Sequence, residues 1–209
     1  DRNKGDFLLR DVLRSTSAAP TYFNPAKVEN IPFEGENIVN MMNIDGGIFA
    51  NNPSMCAYAE GRKTEFENWE DKHQPHKECL TARNMIMLSL GTGGGYIEFK
   101  NPERANLWGL LDWAQKSPDI MMDGGLDTIN YHMRKLFGSL DNEEDRLNFK
   151  RVDFPPKAGN SLPPYSTDMA DADPGNIKKL ALAAEATIQH ANVKREGEYT
   201  LDEFIRKLL

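Results

Sequence analysis

Cysteine is nearly absent from this chain of 209 residues, which carries only Cys56 and Cys79. Two thiols are too few for a disulfide framework, so a reducing compartment is permitted. No apolar run approaches the ~18 residues of a membrane-spanning helix. Every Asn-x-Ser/Thr triplet is missing or blocked by proline, as at Asn52-Pro53-Ser54, which leaves no glycosylation acceptor. Basic charge is in deficit: 25 Lys and Arg face 32 Asp and Glu, a net charge of -7. A phosphate backbone favours a basic surface, so this balance argues against nucleic acid as a partner. A membrane surface remains accessible through apolar contacts. The opening "DRNKGDFLLRDVL" has neither the basic and apolar regions of a signal peptide nor an initiator methionine. It reads as a processed chain or a piece cut inside a larger protein. With no signal and no cysteine framework, the expectation leans to a cytoplasmic location.

What is present is the composition of a soluble globular protein. Hydrophobic residues at 39% are enough for a core, and charged residues at 27% are too few for a disordered tail. The length most simply makes one domain. Residues 6–16 place Phe7, Leu8, Val12 and Leu13 at near-helical spacing, and Pro20 stops that helix. "IVNMMNI" (38–44) predicts a buried strand ended by Asp45-Gly46-Gly47. Asn52 as N-cap and Pro53 at the first helical position predict a helix facing the core with Met55, Tyr58 and Ala59, up to Gly61. The polar stretch 65–84 is expected as a surface excursion, and "MIMLSL" (85–90) as a central strand running into "GTGGG". Strand, helix, excursion, strand is an α/β rhythm.

Further on, 103–137 reads as mostly helical, with Leu107, Trp108, Leu110, Leu111 and Trp113 as core and Pro118 starting a second helix. "RLNFKRVDFPP" predicts an edge strand stopped by Pro155-Pro156. Asp173 and Pro174 open a long helix with Ile177, Leu180, Ala181, Ala184 and Ile188 on one side, and Thr200 with Glu203 makes a capping box. No repeat or linker divides the chain.

The candidate chemistry centres on "NIDGGIFANNP" (43–53). Asp-Gly is a standard hairpin signal, and local rules alone favour a structural turn at Asp45. Against that, the residues after the turn soon become a capped helix and leave almost no return strand. An acid at the carboxyl end of a strand lies where open α/β sheets place ligands, and glycines let a substrate approach the main chain. Other constellations are weaker. "GTGGG" (91–95) lacks the Lys-Ser/Thr ending of a P-loop, so a plain loop is the better reading. The second Asp-Gly-Gly, at Asp123, sits in a helical region and is expected to break it. His73, His76 and Cys79 are spaced like the start of a metal site but have no fourth ligand, so a solvated loop is expected. His132 is expected to be half-buried beside Met133 and Leu136, and Cys56 to be a small buried thiol.

"STSAAPTYFNP" (15–25), "IDGGIFANNP" (44–53), "MLSLGTG" (87–93), "LWGLLDW" (107–113) and "DADPGNIKKL" (171–180) together resemble, in order, the landmarks of patatin-like phospholipases. The resemblance implies a three-layer α/β/α fold of the FabD/lysophospholipase-like kind. Residues 1–209 would form the carboxyl-terminal portion of a single patatin-like domain. It also implies a lipid acyl hydrolase working through a Ser-Asp dyad on a phospholipid, lysophospholipid, galactolipid or neutral ester, with no cofactor and no metal. Asp45 becomes the dyad base, Gly46 and Gly47 the active-site loop, and Asn51 and Asn52 its braces. The family's Gly-x-Ser-x-Gly elbow and glycine-rich oxyanion loop lie upstream of the Asp-Gly-Gly motif and are missing here. Ser15 and Ser17 have no flanking glycines, and Ser161 sits in a proline-rich loop. The chain is therefore expected to supply the base without the nucleophile, to associate with the upstream part of the same domain and to be inactive alone. Two alternatives share the scaffold: a non-catalytic lipid-binding or interaction module, and an acyltransferase.

Overall fold

A computed structural model of the chain describes residues 6–35, 37–64, 80–93, 103, 107–153, 165, 166, 168 and 170–209. Helix α1 (Leu9–Thr16) is followed by a tight turn and by β1 (Ala26–Glu29). Strand β2 (Asn40–Asn43) pairs antiparallel with β1, Ala26 opposite Asn43 and Glu29 opposite Asn40. Ala18, Ala26 and Val28 form a small core here, with Phe7 and Met41 packed against it. The strand expected over 38–44 is thus present but half exposed: Met41 faces the core while Met42 is 67% exposed. Alternation, not a continuous buried run, is what a two-stranded sheet with one covered face imposes. The predicted first helix also forms, yet only Phe7 just before it reaches the core, and Leu8, Leu9, Val12 and Leu13 remain exposed.

One helical turn, α2 (Gly47–Ala50), leads almost directly into α3 (Ser54–Lys63). The cap sits one residue later than expected: Pro53 is the N-cap and Ser54 the first helical residue, while Asn52 Oδ1, just ahead, accepts from the Ser54 amide at 3.2 Å. Helix α3 buries Ser54 and Tyr58 and leaves Ala59 exposed. It runs through Gly61, whose missing side chain makes room for Met85: a Cβ there would lie 3.0 Å from the Met85 methyl. Cys56 is exposed, contrary to the expected buried thiol, because the covered face of α3 is the one carrying Ser54 and Tyr58.

Strand β3 (Met87–Leu90) and β4 (Phe149–Val152) pair in parallel, Met87 opposite Phe149, and α4 (Leu110–Gly138) with the short α5 (Glu143–Arg146) makes the crossover between them. This is a β-α-β unit, formed by a different pair of strands from the one the α/β rhythm implied: among the described residues β2 pairs with β1 and shares no sheet with β3. Among the described residues β3 pairs only with β4, so it is not a central strand there. The core between helices and sheet holds Tyr58, Ala82, Met133 and Phe137, with Phe149 stacked on Phe137 at 5.6 Å between ring centroids.

Helix α4 and the residues just before it overturn four expectations. It continues through Pro118, so no second helix starts there, and through Asp123-Gly124-Gly125, so no break occurs. A proline costs a helix interior roughly 3 kcal/mol and a glycine about 1. Burial of Leu126, Met133 and Phe137 on the same helix is the offsetting term. The residues at and just before its start do not build core: Leu107, Leu110 and Leu111 are 78%, 86% and 80% exposed. His132 is exposed, one position away from the buried stripe of Met133 and Phe137.

Helix α6 (Pro174–Ala191) starts as predicted, Asp173 Oδ1 accepting from the amides of Gly175 and Asn176 at 2.8 and 3.3 Å. Its covered face is rotated from the expected one. Asn176, Ala183 and Thr187 are buried and Leu180 half-buried, while Ile177, Ala181, Ala184 and Ile188 are exposed. The reason is polar: Asn176 accepts from the Ser166 amide at 2.8 Å and donates to the Asp171 carbonyl at 3.1 Å, which ties that side inward. Helix α7 (Leu201–Leu208) closes the chain on the predicted capping box and buries Phe204 completely. Among the described residues no helix is long and apolar enough to cross a membrane.

Candidate active site

Asp45 stands two residues beyond the carboxyl end of β2 and two before α2. Its backbone is pinned from the front: the Asp45 amide donates to the Ala18 carbonyl at 3.0 Å, and the Gly46 amide to the Thr16 carbonyl at 3.3 Å. No hairpin returns from it, because Ile48 already donates back to the Asp45 carbonyl at 3.3 Å and begins the helical turn. The structural-turn alternative therefore gives way to a strand-to-helix bend.

The side chain is half-buried, and its Oδ1 accepts from the Gly47 amide at 2.6 Å. No ion pair reaches Asp45 among the described residues, and Oδ2 makes no hydrogen bond there. The two glycines have separate tasks. A Cβ on Gly46 would lie 3.0 Å from Thr16 Oγ1, so Gly46 lets the bend sit close against the end of α1. A Cβ on Gly47 would lie 2.9 Å from Asp45 Oδ1, so Gly47 leaves room for the carboxylate. Chemically, one oxygen is held by a peptide amide and the other is available as a proton acceptor, the arrangement a general base needs.

The serines of the described residues do not complete a dyad. Ser15 Oγ donates to the Asp11 carbonyl at 2.7 Å and accepts from Asn43 Nδ2 at 3.0 Å. Ser17 Oγ donates to the Leu13 carbonyl at 2.8 Å. Ser161, His73, His76 and Cys79 lie outside the described residues, and no group of three metal-ligating side chains occurs among the described ones.

The start of "GTGGG" is occupied from within. The Gly93 amide, at φ 91°, donates to Asp153 Oδ1 at 2.9 Å, and any side chain on Gly91 would overlap the same carboxylate. Asp153 thus takes the place that an anionic ligand of a glycine-rich loop would need, consistent with the plain-loop reading.

Sequence reasoning missed a polar line that ends at Asn52, seven residues after Asp45. Arg151 Nη1 donates to Ser89 Oγ at 2.9 Å, Ser89 and Ser54 hydroxyls lie 2.8 Å apart, and Ser54 Oγ donates to Asn52 Oδ1 at 2.6 Å. Only the serine inside the apolar run "MLSL" hints at it, since a buried hydroxyl must find a partner.

Taken together, these features define an α/β protein with an acid poised on a glycine bend at a strand's carboxyl end. No family model matches the chain. It is similar to patatin-like protein 1 of Arabidopsis thaliana, 28% identical over 204 residues that make up 94% of this chain and 43% of the relative. Patatin-like protein 3 of Arabidopsis thaliana is 34% identical over 152 residues, 69% of this chain and 34% of the relative. Patatin-like protein 2 of Oryza sativa subsp. japonica is 29% identical over 163 residues, 74% and 38%. The chain belongs to the patatin-like family, and it spans less than half the length of these three relatives.

Proposed function

We propose that the chain is the carboxyl-terminal part of a three-layer α/β/α lipid acyl hydrolase and supplies the base of a Ser-Asp dyad. The observation that carries this reading is the Asp45 carboxylate, held by the Gly47 amide through Oδ1 with Oδ2 making no hydrogen bond among the described residues. The nucleophile and the oxyanion donors come from upstream polypeptide, and membership of a family whose relatives are more than twice the matched length supports that division.

In this reading a serine hydroxyl attacks the ester carbonyl carbon while Asp45 takes its proton. The tetrahedral intermediate collapses, the C–O bond to the alcohol breaks, and the protonated Asp45 returns the proton to the leaving oxygen. Water then attacks the acyl-serine, with Asp45 again accepting a proton that finally restores the serine hydroxyl. The substrate is an acyl ester of lipid type, met at a transient membrane surface, and the setting is cytoplasmic. Exposed Leu107, Leu110, Leu111 and Trp113 at the start of α4 support a lipid-facing role.

The test uses the protein with its upstream part present. Asp45→Asn keeps the shape and removes the base, so kcat for ester hydrolysis should fall on the order of 10³-fold or more. Hydrolysis at near wild-type rate would remove Asp45 from the mechanism, and turnover by residues 1–209 alone would mean that the nucleophile lies within them.

A further inference from the structure

We propose that Arg151, Ser89 and Ser54 are positioning residues for Asp45, an inference that rests on Asp45 being the base. From the β3–β4 sheet to Asn52, just ahead of α3, runs one line of hydrogen bonds, part-buried at Arg151 and buried from Ser54 on. Asp153 Oδ2 accepts from Arg151 Nη2 at 2.6 Å, and the same guanidinium donates through Nη1 to Ser89 at 2.9 Å. Ser89 and Ser54 hydroxyls are 2.8 Å apart, and Ser54 reaches Asn52 Oδ1 at 2.6 Å.

The direction of the protons is dictated at both ends. A guanidinium only donates, so Ser89 must accept from it and pass its own proton to Ser54, which passes its own to Asn52. The Ser54 amide also donates to Asn52 Oδ1, at 3.2 Å, so the Asn52 amide group cannot be turned the other way round. Such a line has one arrangement, and it fixes Asn52, which is 2% exposed, relative to a sheet whose two members of the line, Ser89 and Arg151, are 62 residues apart in sequence.

Asn52 is two residues past the turn α2, which is closed by its own hydrogen bonds: Phe49 and Ala50 both donate to the Gly46 carbonyl, at 3.1 and 2.8 Å. The Gly47 amide that holds the carboxylate belongs to that turn. Asp45 is therefore held from the front by α1, through Ala18 and Thr16, while the line ending at Asn52 fixes the chain seven residues further on and bears on Asp45 through the short turn α2 between them. A buried ion pair such as Arg151–Asp153, with side chains 5% and 20% exposed, adds little net stability over an apolar replacement. What it supplies is a fixed position, and misplacing a catalytic group by about 1 Å costs on the order of 10²-fold in rate.

The experiment measures p-nitrophenyl butyrate hydrolysis and amide hydrogen exchange in the protein with its upstream part, for wild type, S89A, R151M, R151K and D45N. Expected for S89A and R151M is a kcat lower by about ten- to 10²-fold with KM unchanged within about twofold. Arg151→Lys keeps the charge without the fork to both partners and should fall between them and wild type. Exchange at Gly46 and Gly47 should quicken about tenfold in S89A, while amides of α7 keep their wild-type protection. If D45N abolishes hydrolysis but S89A and R151M stay within twofold of wild-type kcat, the positioning role is overturned and the base stands. If D45N hydrolyses normally, the base fails and this inference with it. Unchanged exchange at Gly46 and Gly47 in S89A, or exchange that quickens equally in α7, also overturns the proposal, whatever the activity.

Discussion

The Gly47 amide lies 2.6 Å from Asp45 Oδ1, and a methyl group on Gly47 would lie 2.9 Å from that same oxygen. The residue that holds the carboxylate is thus also the one that must not grow a side chain. Gly47 is the first residue of a helical turn and has no positive φ, so alanine fits its backbone. Gly47→Ala should leave stability unchanged or raise it by about 0.5 kcal/mol. The flexible carboxylate, not the backbone, has to yield. In the protein with its upstream part, kcat should fall by about tenfold or more while the thermal midpoint holds. Thermal unfolding and ester hydrolysis on one preparation check both halves, and an alanine variant with full activity would show that the carboxylate's present position is unimportant.

Phe137 is 1% exposed and touches Tyr58 edge-on at 6.3 Å and Phe149 in a stack at 5.6 Å, so it joins α3, α4 and β4. Phe137→Ala should cost about 3–5 kcal/mol, the transfer of a large side chain plus the cavity left behind. Phe137→Leu should cost less, since much of the volume is kept. Denaturant midpoints of both variants measure this, and equal midpoints for alanine and wild type would place the core elsewhere.

Elements with local signals are legible in the sequence: the Asp173-Pro174 start of α6, the Thr200 and Glu203 box, the start of α3 to within one residue, and the acid-glycine-glycine bend itself. Faces were not. Whether Leu110 or Ile177 is covered depends on which distant element packs there, and a helical period names a stripe without naming its partner. Strand β1, with Lys27 and Glu29 facing out and only Ala26 and Val28 facing in, lacked the apolar run that would have announced it. The Arg151–Ser89 contact joins residues 62 apart in sequence, and no spacing rule reaches that far. Helix α4 outlasted Pro118 because local penalties of a few kcal/mol yield to burial along the rest of its length.

Asp119, Asp123 and Asp127 stand four residues apart along α4. Partial burial, and after it the charges of Asp127 and Asp119, push the Asp123 carboxyl above its ordinary value of 3.8. A carboxyl raised by folding binds more protons in the folded state than in the unfolded one between 3.8 and its raised value. Stability therefore falls as pH rises through that window. Asp123→Asn removes the slope and relieves two like-charge pairs, each worth about 0.2–0.5 kcal/mol and screened by salt. Thermal midpoints compared across the window, at low and high salt, check it. A variant with the wild-type pH slope would assign the slope to another group.

The capping box of α7 makes the opposite sign testable. Thr200 Oγ1 accepts from the Glu203 amide at 3.2 Å, and Glu203 Oε2 accepts from the Thr200 amide at 2.8 Å and pairs with Lys194 at 2.7 Å. The hydrogen bond from Lys194, then that from the Thr200 amide, hold the Glu203 carboxyl below its ordinary 4.5. Its contribution is present above 4.5 and disappears as pH falls through the lowered value. Thr200→Ala should cost about 1 kcal/mol, the usual loss of an N-cap. Glu203→Gln can still accept from the Thr200 amide but cannot titrate, so it should flatten the acid limb of the stability profile while Thr200→Ala leaves that limb partly in place. Because Phe204 sits fully buried one residue further on, loosening this cap should also quicken exchange along α7. If Glu203→Gln keeps the wild-type acid limb, the pair with Lys194 contributes nothing to holding the helix down.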